Sequence, residues 1–317
     1  MPQVWDRAAP RANAPLSPLE QPAPDVVLLN LGQNDHGFPA SKGQAIADKP
    51  YTFRAHPRVL SILRRHVDVV SLANNHSGDF GRAAFAEMLQ RLDAIGLPHI
   101  GGGRDLASAH EPHIVQRNGL KIALLGYDEF FPRHFEAGHD HPGVAWSEDV
   151  RVQDDIRRAR QDHHADVVLL FMHWGWENEL VANARQRQLA RLAIDAGADG
   201  VLGGHPHVTQ DIEIYKGKPI VYSLGNFVFD GFESEALRTG WLLRLTVDKG
   251  GEGPPSKRPV QAIALKASGE TELTPEGMHV MLLQTRQPLA AGERFTCAAS
   301  FRKAGSLEVP VEVRAGP

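Results

Sequence analysis

Three short apolar runs, each followed by a polar loop that contains histidine, constrain the fold of this 317-residue chain more than any other feature. The runs are VDVVSL at 67–72, DVVLLFM at 166–172 and DGVL at 199–202. Apolar runs of about four to eight residues are typical of buried strands. Segments with helical apolar spacing lie between these runs, and such an alternation of strands and helices predicts an α/β domain.

The helical segments have clear periodicity. They span 56–66, 82–95, 146–163 and 183–196. Within 82–95 the residues spaced for burial on one face are Phe85, Met88, Leu89 and Leu92. We expect Asp79 to cap this helix and Gly96 to end it. Elsewhere Asn118-Gly119 joins two strand patterns, which predicts a hairpin.

Composition divides the chain into four segments. Residues 1–24 contain six prolines and are expected to be a disordered lead-in, and residues 25–248 carry the α/β pattern. Residues 249–258 are rich in glycine, proline and charge, which indicates a linker. Residues 259–317 alternate apolar and polar residues between frequent turns, which predicts a small all-β C-terminal domain.

Charge and hydropathy exclude several classes of protein. The net charge is −4, and lysine and arginine do not cluster as on a nucleic-acid-binding surface. No run approaches the ~18 apolar residues of a membrane span, and the N-terminus lacks the apolar core of a signal peptide. The single cysteine, Cys297, excludes an internal disulfide. We therefore expect no nucleic-acid partner and no membrane span in this chain.

The loops after the three apolar runs carry the candidate chemistry. They read Asn74-Asn75-His76, His173-Trp174-Gly175-Trp176-Glu177 and Gly204-His205-Pro206-His207. Because ligands gather at the carboxyl ends of strands in α/β sheets, these distant loops are expected to converge. Imidazole nitrogens and amide oxygens suit Zn, Mn or Fe, which activate water for hydrolysis. A histidine that binds no metal can instead protonate a leaving group.

The loop at 204–207 needs a sharp bend if both of its histidines are to face one site. We expect the glycine pair Gly203–Gly204 to supply this bend through positive-φ backbone. Alone, such a His-x-His pair is more often a solvated loop. The two other histidine loops favour a shared metal site instead.

Other candidates have less specific patterns. His139 and His141 form a second His-x-His pair, but their loop is irregular and they are expected to be solvated. Trp174 and Trp176 either wall the cleft or pack in the core. The triplet Gly101–Gly103 lacks the spacing of a nucleotide-binding loop and indicates a turn or a close backbone approach to the site.

Taken together, these motifs resemble a known family. The strings SLANNHSGDFG, HWGWE and GADGVLGGHPHVTQDIEIYKGKPIVYSLGNFVFD are similar to the bacterial capsule-synthesis CapA family, also called the poly-γ-glutamate biosynthesis PgsA family. That family belongs to the calcineurin-like metallophosphoesterases. The resemblance runs from about residue 25 to residue 248. It implies a four-layer α/β/β/α sandwich with a dinuclear metal site at one end.

The resemblance assigns roles to individual residues. The metal ligands that it implies are Asn75, His173, His205 and His207. His76 resembles the neighbouring histidine that acts as an acid or contacts substrate. Glu177, Asn226 and Asn74 are expected to support the ligands or contact substrate.

The chain also departs from the family pattern. The family has an aspartate ligand in an early Gly-Asp pair, to which nothing here corresponds, and a bridging glutamate where this chain has Gly32. Asn34 or Asp35 could reach the site in their place. Fewer anionic ligands should weaken the binding of two divalent ions. The open alternatives are a truncated N-terminus, a site for one metal, or an inactive relative.

The C-terminal segment has its own resemblance. Residues 273–313 are similar to the second half of periplasmic copper chaperones of the PCuAC type, in which a His-x-Met pair helps to bind Cu(I). His279 and Met281 match that pair and share one face of a strand. The family's earlier ligands have no counterpart here, so packing residues are an equally good interpretation.

The sequence thus leads to two hypotheses. The first is a CapA-like metal-dependent hydrolase, linked to capsule or poly-γ-glutamate synthesis, that uses one or two Zn, Mn or Fe ions on a phosphoester or an anionic polymer. Its partners would include the capsule-synthesis machinery, and family precedent places it at the cell envelope. The alternative is a catalytically degenerate scaffold or a copper-related metal-binding module.

Overall fold

The computed structural model describes residues 28–30, 51–53, 55, 57–227, 229, 234–245, 247, 261–266, 294–301 and 305–312. Five α-helices lie in these ranges, and each is followed by a strand along the chain. Their bounds are α1 Arg58–His66, α2 Gly81–Ala94, α3 Leu106–Ala109, α4 Asp149–Gln161 and α5 Ala184–Asp195. The four helices predicted from periodicity are confirmed as α1, α2, α4 and α5, with ends that shift by a few residues.

The strands alternate with these helices along the chain. Their bounds are β1 Leu28–Asn30, β2 Val69–Ser71, β3 His99–Ile100, β4 Gly102–Gly103, β5 His113–Arg117, β6 Leu120–Asp128, β7 Gly143–Val144, β8 Val167–His173, β9 Gly200–Gly204, β10 Ile212–Tyr215, β11 Lys218–Val221, β12 Thr239–Arg244, β13 Gln261–Lys266, β14 Arg294–Phe301 and β15 Gly305–Glu312.

Two sheets carry the fold. Within the described ranges, the smaller is parallel with the order β1-β2-β3, and the larger has the order β10-β11-β9-β8-β6-β5. Its central strands β6, β8, β9 and β11 are parallel, while β5 and β10 are antiparallel edges. The carboxyl ends of β6, β8 and β9 therefore meet at one edge, with Asp128 beside His173 and His173 beside Gly204.

Alternating side chains on the strands divide the core into layers. Val69 of β2 packs between the two sheets, whereas its neighbour Val70 packs against α1 and α2. Leu124 of β6 likewise faces the space between the sheets, and Leu125 packs against α4 and α5. Because successive residues of a strand point to opposite faces, both sheets are covered on two sides. The predicted four-layer α/β/β/α arrangement is confirmed.

Local sequence explains where several elements begin and turn. Asn183 caps α5 in a capping box, accepting a hydrogen bond from the Gln186 backbone while the Gln186 side chain accepts one from Asn183. Asn118 and Gly119, with φ values of 49° and 77°, form the predicted hairpin between β5 and β6. Phe85, Met88, Leu89 and Leu92 of α2 are all buried, as their spacing predicts.

The chain divides into two compact units, residues 1–269 and 270–317. In the first unit, β12 pairs antiparallel with β13, and Trp241 of β12 packs with the residues between the two main sheets. In the second unit, β14 and β15 form an antiparallel hairpin. The predicted lead-in and linker lie outside the described residues, and the domain boundaries stay predictions. In the described part of the chain, none of the helices has the length and hydrophobicity that a membrane span requires.

Candidate metal centre

The predicted site forms where β2, β8 and β9 end. Asn75 follows β2, His173 ends β8, and Oδ1 of Asn75 lies 2.9 Å from Nε2 of His173 although 98 residues separate them. The His173 and His205 rings are 4.7 Å apart between centroids, and those of His205 and His207 are 6.0 Å apart. The structure therefore brings together all four residues that were predicted as metal ligands.

His205 lies in an unfavourable environment for a charged imidazole. It is 5% exposed, and neither ring nitrogen has a hydrogen-bond partner among the described residues. Its ring packs edge-on against Phe130, with centroids 5.0 Å apart. Burial, helped by the neighbouring His207 and His76, lowers the pKa of His205 to about 3. The ring is therefore neutral near pH 7, which is the form that binds a metal ion.

His207 is oriented by a second amide. Its Nδ1 lies 2.7 Å from Oδ1 of Asn226, whose Nδ2 donates a hydrogen bond to the Leu237 carbonyl at 2.8 Å. An amide acceptor fixes the tautomer that places the proton on Nδ1. Asn226 thus contacts one of the predicted metal ligands, and its role at the centre stays a prediction.

The bend at 204–207 is made by the histidines and not by the glycines. His205 and His207 have φ values of 100° and 61°, whereas Gly203 and Gly204 continue β9. The prediction that the glycines supply the bend is wrong. A side chain at Gly203 would collide with the Tyr222 carbonyl and with the Trp174 indole, so this glycine is needed for its small size.

Glu177 lies beside the two histidines of this loop. One ligand atom from each of Glu177, His205 and His207 lies within 4.8 Å of the others. Glu177 itself is exposed. The centre therefore has an acidic group within reach of both rings.

The loop after β2 places His76 by a network of short-range contacts. Oδ1 of Asn74 accepts hydrogen bonds from the His76 backbone at 3.0 Å and from the Ser77 hydroxyl at 3.3 Å. Asn74 is itself buried. Its amide thus shapes the turn that presents Asn75 and His76.

Asp79 holds the His76 ring. Its Oδ2 lies 2.9 Å from Nδ1 of His76 and accepts a hydrogen bond from the Phe53 backbone at 2.8 Å. The N-cap of α2 is Phe80, and no side chain caps it. The prediction that Asp79 caps this helix is wrong, because its carboxylate is used by a histidine and by a backbone amide from a distant segment.

The two tryptophans of the β8 loop have different roles. Trp174 is 1% exposed, and its Nε1 donates a hydrogen bond to the Tyr222 carbonyl at 2.8 Å. Trp176 is 64% exposed. It lines a cleft of about 390 Å³ together with Phe130 and Phe131. Both tryptophans thus border this cleft, Trp174 from the buried core and Trp176 as an exposed part of the wall.

Sequence reasoning missed an acidic group at this edge. Glu129 follows β6, and its backbone N–H donates a hydrogen bond to the His173 carbonyl at 2.8 Å. Its carboxylate accepts hydrogen bonds from Arg185 at 2.5 Å and from the Ser147 hydroxyl. The signal was present as Asp128-Glu129 at the end of a strand, a position where ligand-binding side chains gather.

The remaining candidates lie apart from the centre or outside the described residues. His139 is exposed, and His141 is half-buried, with its Nδ1 accepting a hydrogen bond from the Gly138 backbone at 3.1 Å. Asn34, Asp35, His279 and Met281 lie outside the described residues. The copper site therefore stays a prediction.

The comparison with known proteins identifies the family. Residues 13–231 match the model of the bacterial capsule synthesis protein PGA_cap. The chain belongs to this family. Residues 244–313 match a second model, that of LpqE-like lipoproteins, which is compatible with a distinct C-terminal domain.

Individual PGA_cap relatives match part of their length. The PGA biosynthesis protein CapA of Bacillus subtilis (strain 168) is 38% identical over 186 residues, which cover 58% of this chain and 48% of the relative. The capsule biosynthesis protein CapA of Bacillus anthracis is 35% identical over 165 residues, which cover 51% of this chain and 40% of the relative. The chain spans about half the length of these curated relatives.

Among solved structures, the 5′-nucleotidase precursor of Thermus thermophilus is similar at 15% identity. It has a TM-score of 0.46, and the similarity covers 66% of this chain and 40% of that one.

Proposed function

We propose that this chain is a metal-dependent hydrolase of the PGA_cap family that acts in the synthesis or processing of an anionic capsule polymer of the poly-γ-glutamate type. Two relatives named CapA, from Bacillus subtilis and Bacillus anthracis, carry names of PGA or capsule biosynthesis, which supports the polymer. Support for hydrolysis comes from the chemistry of the centre around His205.

One observation carries the proposal. His205 is buried with both ring nitrogens unpartnered among the described residues, and its pKa is lowered to about 3. A buried polar group without a hydrogen bond costs about 1–3 kcal/mol, so such a group calls for a ligand. The residues that would hold a divalent ion are Asn75, His173, His205 and His207, and this mainly imidazole set suits Zn, Mn or Fe.

A bound ion would polarise a phosphoryl or acyl oxygen and make water a better nucleophile near neutral pH. The chain's own residues supply orientation and proton transfer. Asn226 fixes the His207 ring through Nδ1. Asp79 fixes the His76 ring in the same way, and Nε2 of His76 would then deliver a proton to the leaving group.

Aromatic side chains limit the access of water to this centre. Phe130 packs on His205, and Phe229 packs on His207 with centroids 5.4 Å apart. Phe53 packs on His76 with centroids 4.5 Å apart and on Phe229 with centroids 5.7 Å apart. Apolar neighbours lower the local dielectric, which strengthens every electrostatic contact with a bound substrate.

Metal loading combined with two substrates tests the proposal. The 317-residue chain is treated with chelator and reloaded with Zn²⁺, Mn²⁺ or Fe²⁺. Bound metal is then measured together with hydrolysis of bis(p-nitrophenyl) phosphate and of poly-γ-glutamate. We expect metal-dependent cleavage that is lost in His205→Gly. Cleavage of only one of the two substrates shows whether the enzyme acts on a phosphoester bond or on the amide bonds of the polymer. Bound metal without cleavage of either substrate would favour the non-catalytic alternative, and absence of bound metal would reject the proposal.

A further inference from the structure

We infer that Glu177 is the negatively charged ligand of the centre, so that Glu177, His205 and His207 form a three-ligand site for one divalent cation of the zinc class. This inference rests on the proposed metal dependence and narrows its ligand set: Glu177 joins His205 and His207 on the ion, while Asn75 and His173 bond to each other beside it. Two imidazoles and one carboxylate are a recurrent donor set of sites that hold a single zinc or iron ion and keep positions open for substrate.

Proximity is the first argument. Ligand atoms of the three side chains all lie within 4.8 Å of one another, so one ion could contact all three after small side-chain movements. The His205 nitrogens have no other partner among the described residues. Asn75 and His173, in contrast, contact each other through a 2.9 Å hydrogen bond.

The backbone holds Glu177 in this position. The loop after β8 is joined to the loop after β9 by two hydrogen bonds, from the Trp174 N–H to the Gly204 carbonyl at 3.1 Å and from the Asn178 N–H to the Pro206 carbonyl at 2.8 Å. Glu177 lies between these two anchors, on the segment that faces the His-x-His turn. Its position is therefore set by the same strand ends that set the histidines.

The turn that carries Glu177 uses backbone conformations that cost energy. Gly175 and Asn178 have φ values of 82° and 67°, and a Cβ at Gly175 would lie 2.8 Å from the Gln186 side-chain amide. The left-handed backbone conformation is favourable only for glycine and tolerable for asparagine. Such a constrained turn is expected where a side chain must be held at one place.

The other two carboxylates near the centre already have hydrogen-bond partners. Asp79 is occupied by His76 and the Phe53 backbone, and Glu129 is occupied by Arg185 and Ser147. Glu177 has no salt bridge or side-chain hydrogen bond within the described part of the chain. Glu177 is thus the carboxylate next to His205 and His207 that is available to bind a cation.

Zinc titration of matched variants tests this inference. Wild type, Glu177→Gln, Glu179→Gln and His205→Gly are prepared as full chains, stripped with chelator and titrated with Zn²⁺ alone in the presence of a competing chelator dye. Glu179 is the control, since it is exposed on the same loop and its substitution removes the same charge. Glycine is chosen at 205 because its backbone tolerates a φ of 100°.

We expect Glu177→Gln to weaken Zn²⁺ binding about tenfold or more, because even residues that only orient a ligand change metal affinity by that factor. Glu179→Gln should bind like wild type, and His205→Gly should set the level of adventitious binding. The rise in melting temperature on adding Zn²⁺ should shrink in Glu177→Gln while the metal-free melting temperature stays at the wild-type value, which excludes a folding defect.

The outcomes separate this inference from the proposed function. Equal Zn²⁺ affinity in wild type, Glu177→Gln and Glu179→Gln, all above the His205→Gly level, overturns the role of Glu177 and leaves the metal dependence standing. Wild type that binds no more Zn²⁺ than His205→Gly overturns both. A loss that is equal in Glu177→Gln and Glu179→Gln shows an effect of general charge and also overturns the inference.

Discussion

Among the described residues, two histidine–aspartate pairs have the same chemistry in two different settings. At the candidate centre, Nδ1 of His76 lies 2.9 Å from Oδ2 of Asp79, and the side chains are 13% and 0% exposed. In the core beside α4, Nδ1 of His110 lies 2.7 Å from Oδ2 of Asp155, and the side chains are 3% and 5% exposed. The bonded atoms are the same, so the difference must come from their surroundings.

The core pair is part of a larger hydrogen-bond network. Asp155 also accepts hydrogen bonds from the Tyr127 hydroxyl at 2.9 Å and from Arg158 at 2.8 Å. Burial, followed by the charge of Asp155, raises the pKa of Tyr127 well above its ordinary value. The pair at the centre instead lies near Phe53 and the three histidines of the metal site. A histidine–aspartate pair is therefore stabilising in one place and available for chemistry in the other.

Replacement of His76 gives the largest expected effect. In His76→Gln the ring that would deliver a proton is lost, and hydrolysis of bis(p-nitrophenyl) phosphate by the metal-loaded chain should fall about 100- to 10,000-fold. Steady-state kinetics at matched metal occupancy measures this. The matching replacement in the core, His110→Gln, should leave the rate of the folded fraction unchanged; an equal loss of rate in both variants would erase the distinction.

Removal of Asp155 should have the largest effect on stability. Asp155→Ala leaves the buried donors of His110 and Tyr127 without their shared acceptor, which costs about 1–3 kcal/mol for each donor, while the more exposed Arg158 loses one of its partners. Urea unfolding of the metal-free chain measures the change. Asp154→Ala is the control, because that neighbour forms an exposed pair with Arg157 and should change stability by less than about 0.5 kcal/mol.

Asp79→Ala should cost less stability than Asp155→Ala. The lost contacts are the Phe53 backbone N–H and the His76 ring, and a part-buried donor left without its acceptor costs about 1–3 kcal/mol. The same urea experiment measures it, and the hydrolysis rate should fall as well, because the His76 ring loses its orientation. A cost as large as that of Asp155→Ala would mean that the centre is as much a structural element as the core network.

A half-buried histidine without a bonded carboxylate, His99, gives the smallest expected effect. Burial lowers the pKa of His99 below its ordinary value of 6.5. The unfolded chain therefore binds a proton more readily than the folded one as the pH falls through 6.5, and the stability due to the neutral ring is lost in that window. As the pH falls from 7.5 to 5.5, we therefore expect the free energy of unfolding of His99→Gln to rise relative to that of wild type.

Urea unfolding at several pH values measures this difference, with His139→Gln, an exposed position, as the control. A flat difference for His99→Gln across this range would show that its burial does not affect protonation. The comparison of the two histidine–aspartate pairs could then not be extended to histidines that lack a bonded carboxylate.

Local patterns predicted the scaffold well. The spacing of Phe85 and Met88 gave the buried face of α2, and Asn118-Gly119 gave the turn between β5 and β6. Such signals depend on neighbours within a few residues, so they are readable in one sequence. The grouping of Asn75, His173 and His205 also followed, because the ends of parallel strands meet at one edge.

Contacts between distant segments were not readable in the same way. The role of Asp79 depends on the Phe53 backbone, 26 residues away, and the core pair joins residues that are 45 apart. The bend in the metal loop was assigned to glycines by propensity, but tertiary contacts placed the histidines in the left-handed region instead. Propensity is a weak prior where packing around a functional loop sets the backbone.

The glycine triplet after β3 has a consequence for the width of the centre. Gly101 has a φ of 70°, and a Cβ on it would lie 2.6 Å from the Ala73 side chain and 2.9 Å from the Gly126 backbone. The backbones of the two sheets thus approach each other closely at Gly101 and Gly126, and Gly126 pairs with Phe171, two residues before His173. This contact sets the distance between the two sheets. A methyl group added at Gly101 would push the two halves of the centre apart without altering any polar side chain.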